Sequence, residues 1–207
     1  ASGAACWLVG NILWFAGQPV YQVVHLWTAF LILTIVGERL ELSRVRRLSS
    51  MDEQLLIVSV SIYLIGIFLT VFDLNNGVRL LGLGAILMAA WLLRYDIAGR
   101  TIRKQGLPRY IAVCLLLGYV WLGFGGLLAM WHGAIYAGPD YAATLHAFLL
   151  GFVFSMIFGH APIIIPALTG LQLKYTPVFY SYLALLHLTL IYRMYGILFS
   201  SFGARQW

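Results

Sequence analysis

Long apolar stretches recur along this sequence, and most are close to the roughly 20 residues that a helix needs to cross a membrane's hydrocarbon core. They cover residues 4–17, 20–37, 55–72, 78–98, 109–131, 141–165 and 177–199. The first is the shortest and suits a tilted or partial helix. Only 10% of the residues are charged, whereas soluble proteins carry about 25%. The sequence therefore predicts one all-α domain over residues 1–207, a polytopic transmembrane bundle of about seven spans with short loops.

Prolines mark the predicted starts of several spans. Four of the six prolines fall there, namely Pro19, Pro108, Pro139 and Pro177. Proline suits the first turn of a helix because its missing N–H would have no intrahelical partner there. The connections between spans are short, so consecutive helices are predicted to pack antiparallel.

The basic residues gather at one end of the predicted bundle. Three of the thirteen, Arg79, Arg193 and Arg205, fall at the other end, and ten share the basic end: Arg39, Arg44, Arg46, Arg47, Arg94, Arg100, Arg103, Lys104, Arg109 and Lys174. The positive-inside rule makes the richer side cytoplasmic, which predicts a multi-pass protein of the bacterial inner membrane. The basic residues form no single stripe with interleaved aromatics, so no nucleic-acid partner is expected.

Few residues indicate enzymatic chemistry. Cys6 and Cys114 are the two cysteines, and the sequence has no CxxCH motif, so any haem must be held non-covalently. No GxSxG, Walker or HExxH motif is present. Asp96, flanked in sequence by Arg94 and Arg100, is expected to form an ion pair at the surface of the basic end.

Histidines inside the apolar stretches are the candidate cofactor and metal ligands. His25 and His146 lie at nearly equal depth, about 9 Å from the less basic end at 1.5 Å per residue, which favours a bis-imidazole pair for b-type haem. His146 with His187 is the alternative pair if the helices tilt. His146 and His160 are fourteen residues apart, about 40° around and about 21 Å along a straight helix, so they cannot share one metal. Each of these histidines also has a second interpretation, as a hydrogen-bonded packing residue; for His160, two residues before Pro162, that role is at least equal to ligation.

Arg193 is the candidate partner for a haem propionate. It follows His187 by six residues towards the less basic side, and an arginine inside a bundle needs a counter-charge. Pairing with Asp73 or snorkelling to the interface are the alternatives. Met194 lies on nearly the same helix face as His187 and is either an axial thioether or a packing residue.

Small residues recur at every fourth position of the sixth span. They are Ala143, Ala147, Gly151, Ser155 and Gly159. Such a ladder lets another helix or a flat ligand approach closely, and contact with another helix is the ordinary outcome.

The segment LHAFLLGFVFSMIFGHAPIIIP, and more weakly HLWTAFLILTIVGERLELSR, resembles polytopic bacterial membrane proteins distantly similar to the haem-copper oxidase superfamily. Within it, the nitric-oxide-linked haem-copper membrane proteins are most similar. The shared features are a His-Ala opening, spaced glycines and a late proline. The resemblance implies a haem ligand at His146 and a respiratory setting.

Two functions follow as hypotheses. In the first, the chain is a haem b-binding subunit of a respiratory or other energy-converting complex and passes electrons from quinol or a partner to an acceptor. In the second, it is a non-catalytic accessory subunit that packs against a larger membrane complex. Both expect the lipid bilayer and further membrane subunits as partners.

Overall fold

The computed structural model describes residues 2–43, 48–170 and 174–204, and these residues form eight helices and no strand. The helices are α1 (Ser2–Phe15), α2 (Val20–Ser43), α3 (Ser50–Leu69), α4 (Leu74–Tyr95), α5 (Ala98–Thr101), α6 (Leu107–His132), α7 (Pro139–Thr169) and α8 (Phe179–Ala204). The predicted all-α architecture is confirmed.

Local sequence explains where several helices begin. Ser49 and Asp52 form a reciprocal capping box at α3, and the Asp73 side chain accepts a hydrogen bond at the start of α4. Gly106 and Gly138 have positive φ angles of 68° and 97° immediately before α6 and α7, a conformation that glycine adopts without steric cost. The prolines predicted to open α6 and α7 lie in their first turns.

Five of the described helices are long and apolar enough to cross a membrane: α2, α3, α4, α6 and α7. They coincide with five of the predicted spans. Helix α1 is apolar but has only 14 residues, so crossings by α1 and α8 stay predictions.

The core is built around α4, which packs between α3 and α6. Gly82 of α4 faces Gly126 of α6 so closely that a Cβ on either would lie 2.6 Å from the carbonyl oxygen of the other. Backbones approach this closely only where both residues lack side chains. Helix α7 packs along the other side of α6, and α8 contacts both of these helices. Helix α1 packs on α2.

Helix α7 contains a π-helical segment, Ala147–Val153, directly after His146. The wider turn changes the phase of the helix, so the straight-helix angle of about 40° between His146 and His160 does not apply. The small-residue ladder nevertheless packs on α6, because a Cβ at Gly151 would collide with Trp121 and one at Gly159 would lie 3.1 Å from Cys114 Cβ. Ordinary helix contact is thus confirmed as the role of these two ladder positions.

The helix directions agree with the predicted antiparallel order. Arg79, in the first turns of α4, donates a hydrogen bond of 2.9 Å to the carbonyl oxygen of Met130, near the end of α6. The opposite end of these helices carries Arg94 and Arg109. Of the basic residues used for orientation, Arg44, Arg46, Arg47 and Arg205 lie outside the described residues.

Candidate functional site

Arg39 lies on the inward face of α2. Ile32, Val36 and Arg39 follow one another at helical spacing and are all buried, Arg39 with 5% of its surface exposed. A buried guanidinium is costly unless neighbouring groups neutralise its charge and accept its hydrogen bonds. Its partners must therefore come from the helices around α2.

His160 of α7 supplies the first partner. Arg39 Nη2 lies 3.1 Å from His160 Nε2, and His160 Nδ1 lies 2.6 Å from the carbonyl oxygen of Met156. A guanidinium only donates and a carbonyl only accepts, so Nδ1 must carry the ring proton and Nε2 must accept. The hydrogen-bonding role for His160 is confirmed, and its Nε2 lone pair is already used by Arg39.

Asp96 supplies the opposite charge. It follows α4 directly, is 1% exposed, and accepts a 2.7 Å hydrogen bond from the backbone N–H of Ala98. Its charge interacts with that of Arg39, and its side chain lies near His160 and Tyr119. The predicted surface position is wrong, because the single-turn helix α5 packs against α6 and leaves the end of α4 inside the protein.

Tyr119 of α6 completes a group that we call the polar cluster: Arg39, Asp96, Tyr119 and His160. The Tyr119 side chain is fully buried and lies near enough to Asp96 and Arg39 to interact with both. Three buried atoms of the cluster, Arg39 Nε, Asp96 Oδ2 and the Tyr119 hydroxyl, have no hydrogen-bond partner of normal geometry among the described residues. Such atoms are rare in protein interiors, which distinguishes this cluster from the other buried polar groups.

Opposing effects act on the Asp96 carboxyl. Burial raises its pKa, whereas the Ala98 N–H, the Arg39 charge, the Tyr119 hydroxyl and His160 lower it, and the net pKa is above the ordinary value. The folded protein therefore holds the Asp96 proton more tightly than the unfolded chain does.

His146, the principal haem-ligand candidate, is half-buried in α7. Its Nδ1 lies 2.5 Å from the carbonyl oxygen of Ala142, so Nδ1 carries the proton and the Nε2 lone pair points away from this bond. A backbone carbonyl on one nitrogen is the usual way to orient a metal-binding imidazole.

His187 is buried against α6 and α7. Trp121 Nε1 donates a 2.9 Å hydrogen bond to His187 Nδ1, and His187 Nε2 lies 3.5 Å from Ser155 Oγ. Nδ1 is therefore the acceptor and Nε2 carries the proton. Ligation of a metal by His187 would require its bond to Trp121 or its ring tautomer to change.

His25 and Arg193 occupy different environments. His25 is buried beside Tyr141 and Thr144 at a cavity of about 10 Å³, room for one water molecule at most. Arg193 is on an exposed face of α8, whereas Asp73 is bonded to Asn76 at the start of α4. The exposed position of Arg193 suits snorkelling. Among the described residues, no group of three or more His, Cys, Asp or Glu side chains is placed to hold a metal ion.

Sequence reasoning missed the polar cluster, although one signal was present. The apolar stripe Ile32–Val36 leads at helical spacing into Arg39, which marks that arginine as inward-facing. Tyr119 and Asp96 carry no comparable signal, since their meeting depends on how α4 and α6 pack.

No curated protein and no solved structure matches the chain. A family model does match, and it covers residues 1–207. The chain therefore belongs to this family, whose description is Domain of unknown function (DUF8744).

Proposed function

We propose that the chain is a proton-handling subunit of an energy-converting complex in a bacterial inner membrane, with Asp96 as the group that takes up and releases the proton. The observation that carries the proposal is the polar cluster, in which an arginine, a carboxyl group and a tyrosine from three helical regions are buried together and a histidine from a fourth contacts the arginine. Ionisable groups inside membrane bundles are costly and commonly mark ion or proton pathways.

The cluster provides two accessible charge states. Arg39 is a fixed cation because a guanidinium does not lose its proton in proteins. Asp96 neutralises it when ionised, and burial favours the protonated acid. Proton uptake by Asp96 changes the cluster from neutral to singly positive, so a proton bound here is coupled electrostatically to Arg39.

The remaining two residues position the charged pair. His160 accepts from Arg39 and anchors its ring to the backbone of α7. The Tyr119 hydroxyl interacts with both Asp96 and Arg39, and it can donate a hydrogen bond to a carboxylate.

Infrared difference spectroscopy across a pH titration tests the proposal. Purified protein in lipid vesicles should show a protonated carboxyl C=O band that titrates above the ordinary carboxyl pKa and shifts in heavy water. Asp96→Asn should remove this band. Glu38→Gln removes a carboxyl from an exposed position next to Arg39 on α2 and should leave it intact. A titrating band that persists in Asp96→Asn would overturn the proposal.

Haem binding is a second candidate function, favoured by the orientation of His146. Its Nδ1–H bond to Ala142 leaves Nε2 as a free imidazole ligand. The cavity beside His25 is far too small for a porphyrin, and His187 is bonded to Trp121, so His146 would hold b-type haem at the bundle surface with a ligand from a neighbouring subunit. Bound haem would supply one-electron chemistry, with quinol as the expected donor.

A reduced-minus-oxidised spectrum with pyridine haemochrome quantitation tests this second function. If haem is present, His146→Ala should remove it while His132→Ala, at the end of α6, should retain it. Full haem content in His146→Ala would refute ligation by His146. A protein with neither haem nor a titrating Asp96 would instead fit the accessory, packing-only role.

A further inference from the structure

A cleft separates the N-terminal ends of α6 and α8 at the basic end of the bundle. Its volume is about 420 Å³, and its lining includes Gln105, Arg109, Val113, Tyr175 and Tyr180. None of these residues is acidic. The cleft therefore combines one exposed cation with the hydroxyl and amide groups that hydrogen-bond polar ligands.

Two tyrosines of the lining, Tyr175 and Tyr180, belong to an aromatic cluster with Tyr110 and Phe179. The ring of Tyr110 lies 5.3 Å from that of Tyr180 and 5.7 Å from that of Phe179, and Tyr175 lies 5.8 Å from Phe179. Tyrosine is enriched where the hydrocarbon core meets the lipid headgroups, because its ring is apolar and its hydroxyl is polar. An aromatic cluster of this kind is typical of that level of the membrane.

Charge around the cleft has one sign. Three exposed basic residues lie next to the lining in sequence. Arg103 and Lys104 come just before Gln105, and Lys174 comes just before Tyr175. Residues 102–113 and 174–180 contain no Asp or Glu. The local potential is thus positive, and it attracts an anion with phosphate or carboxylate oxygens.

An apolar groove lies further along the same two helices. Its volume is about 470 Å³. Its lining is mostly apolar, with Leu117, Val120 and Phe124 of α6 and Ile191 and Met194 of α8, and it also includes the hydrogen-bonded pair Trp121 and His187. On α6, these positions follow Arg109 and Val113 at intervals of three or four residues, so both cavities share one helix face.

The dimensions fit one leaflet. Val120 is eleven residues beyond Arg109, about 17 Å along the helix, and half of the hydrocarbon core is about 15 Å thick. A ligand with an anionic head in the cleft and a hydrocarbon tail in the groove would match both the charge and the length. We propose that α6 and α8 bind one anionic phospholipid, with its phosphate at Arg109 and an acyl chain along Leu117 and Val120.

Native mass spectrometry of the detergent-purified full chain tests this site. The probes are phosphatidylglycerol and phosphatidylcholine with identical acyl chains, and soluble glycerol phosphate. We expect phosphatidylglycerol to bind more tightly than phosphatidylcholine, and Arg109→Gln to weaken phosphatidylglycerol about tenfold, since a hydrogen bond to a charged group contributes about that factor. Arg100→Gln removes an exposed charge from the same end of the bundle outside the cleft and should change the affinity less than twofold.

A second variant tests the acyl chain separately. Val120→Trp fills the groove without altering the basic residues and should weaken both phospholipids, whereas it should not affect glycerol phosphate. Equal binding of the two phospholipids, an equal loss in Arg100→Gln, or complete competition by glycerol phosphate would overturn the proposal. These outcomes are distinguishable from failure of the proposed functions, because no residue of the polar cluster lines either cavity and neither does His146, the ligand proposed for haem.

Discussion

Removing Arg39 should destabilise the protein more than neutralising Asp96 when both are measured at mildly alkaline pH. Asn at position 96 resembles the protonated acid, which folding favours because the pKa of Asp96 is raised, so the loss in Asp96→Asn should be limited to the cost of altered buried hydrogen bonds, about 1–3 kcal/mol. In Arg39→Met the buried Asp96 carboxylate loses the cation that lowers its pKa, and leaving a buried charge uncompensated costs about 3–5 kcal/mol.

The double variant isolates the interaction between the two residues. Arg39→Met combined with Asp96→Asn leaves no uncompensated charge, so its loss should be smaller than the sum of the single losses. We expect a coupling of about 1–3 kcal/mol, as found for residues in one buried network.

Reversible unfolding in mixed micelles, followed by far-ultraviolet circular dichroism at mildly alkaline pH, measures these free energies. Glu38→Gln is the matched control and should change the free energy of unfolding by no more than about 0.5 kcal/mol, because Glu38 is exposed. Additivity of the two single variants within about 0.5 kcal/mol would show that Arg39 and Asp96 do not act as a pair. The description of the polar cluster would then be wrong.

Three further results are expected. The free energy of unfolding should fall as pH rises from the ordinary carboxyl pKa of about 3.9 towards the raised value of Asp96, because the folded state binds that proton more tightly, and Asp96→Asn should flatten this slope in pH-dependent unfolding. Gly82→Ala should cost about 1–3 kcal/mol by overpacking the crossing of α4 and α6, whereas Gly123→Ala should be near neutral because its Cβ would meet its nearest neighbour at an ordinary 3.4 Å; equal losses would contradict the backbone contact. Trp121→Phe should shift the ¹⁵N signal of His187 Nδ1 by removing its N–H donor, and an unchanged histidine spectrum would refute that bond.

Local features of the sequence predicted the helices well. Apolar stretches of membrane-crossing length and prolines at helix starts depend only on nearby residues, and α2, α3, α4, α6 and α7 lie where those signals place them. The π-helical turn after His146 carries no such signal. The angle around the helix axis between a residue before this turn and one after it therefore does not follow from 3.6 residues per turn.

For the histidines, the sequence predicts depth in a span but not hydrogen-bond partners. The depth of His25 or His146 follows from counting residues along a span. The hydrogen-bond partner of each ring cannot be found by counting residues. Arg39 of α2 contacts His160 although the two are 121 positions apart, and Trp121 of α6 contacts His187. These contacts assign the ring protons and so separate His146, with its Nε2 outside any described bond, from His160 and His187.

Hydrophobic length and charge placement are properties of single segments, so the sequence alone predicts an all-helical chain that has several helices of membrane-crossing length and one basic end. The position of Asp96 inside that end, instead of on its surface, follows from contacts between segments. A carboxylate flanked by arginines in sequence looks solvated, yet the turn of α5 and the packing of α4 on α6 turn it towards Arg39 and Tyr119. Burial is set by which helices surround a residue, and four separate segments have to meet before this cluster exists.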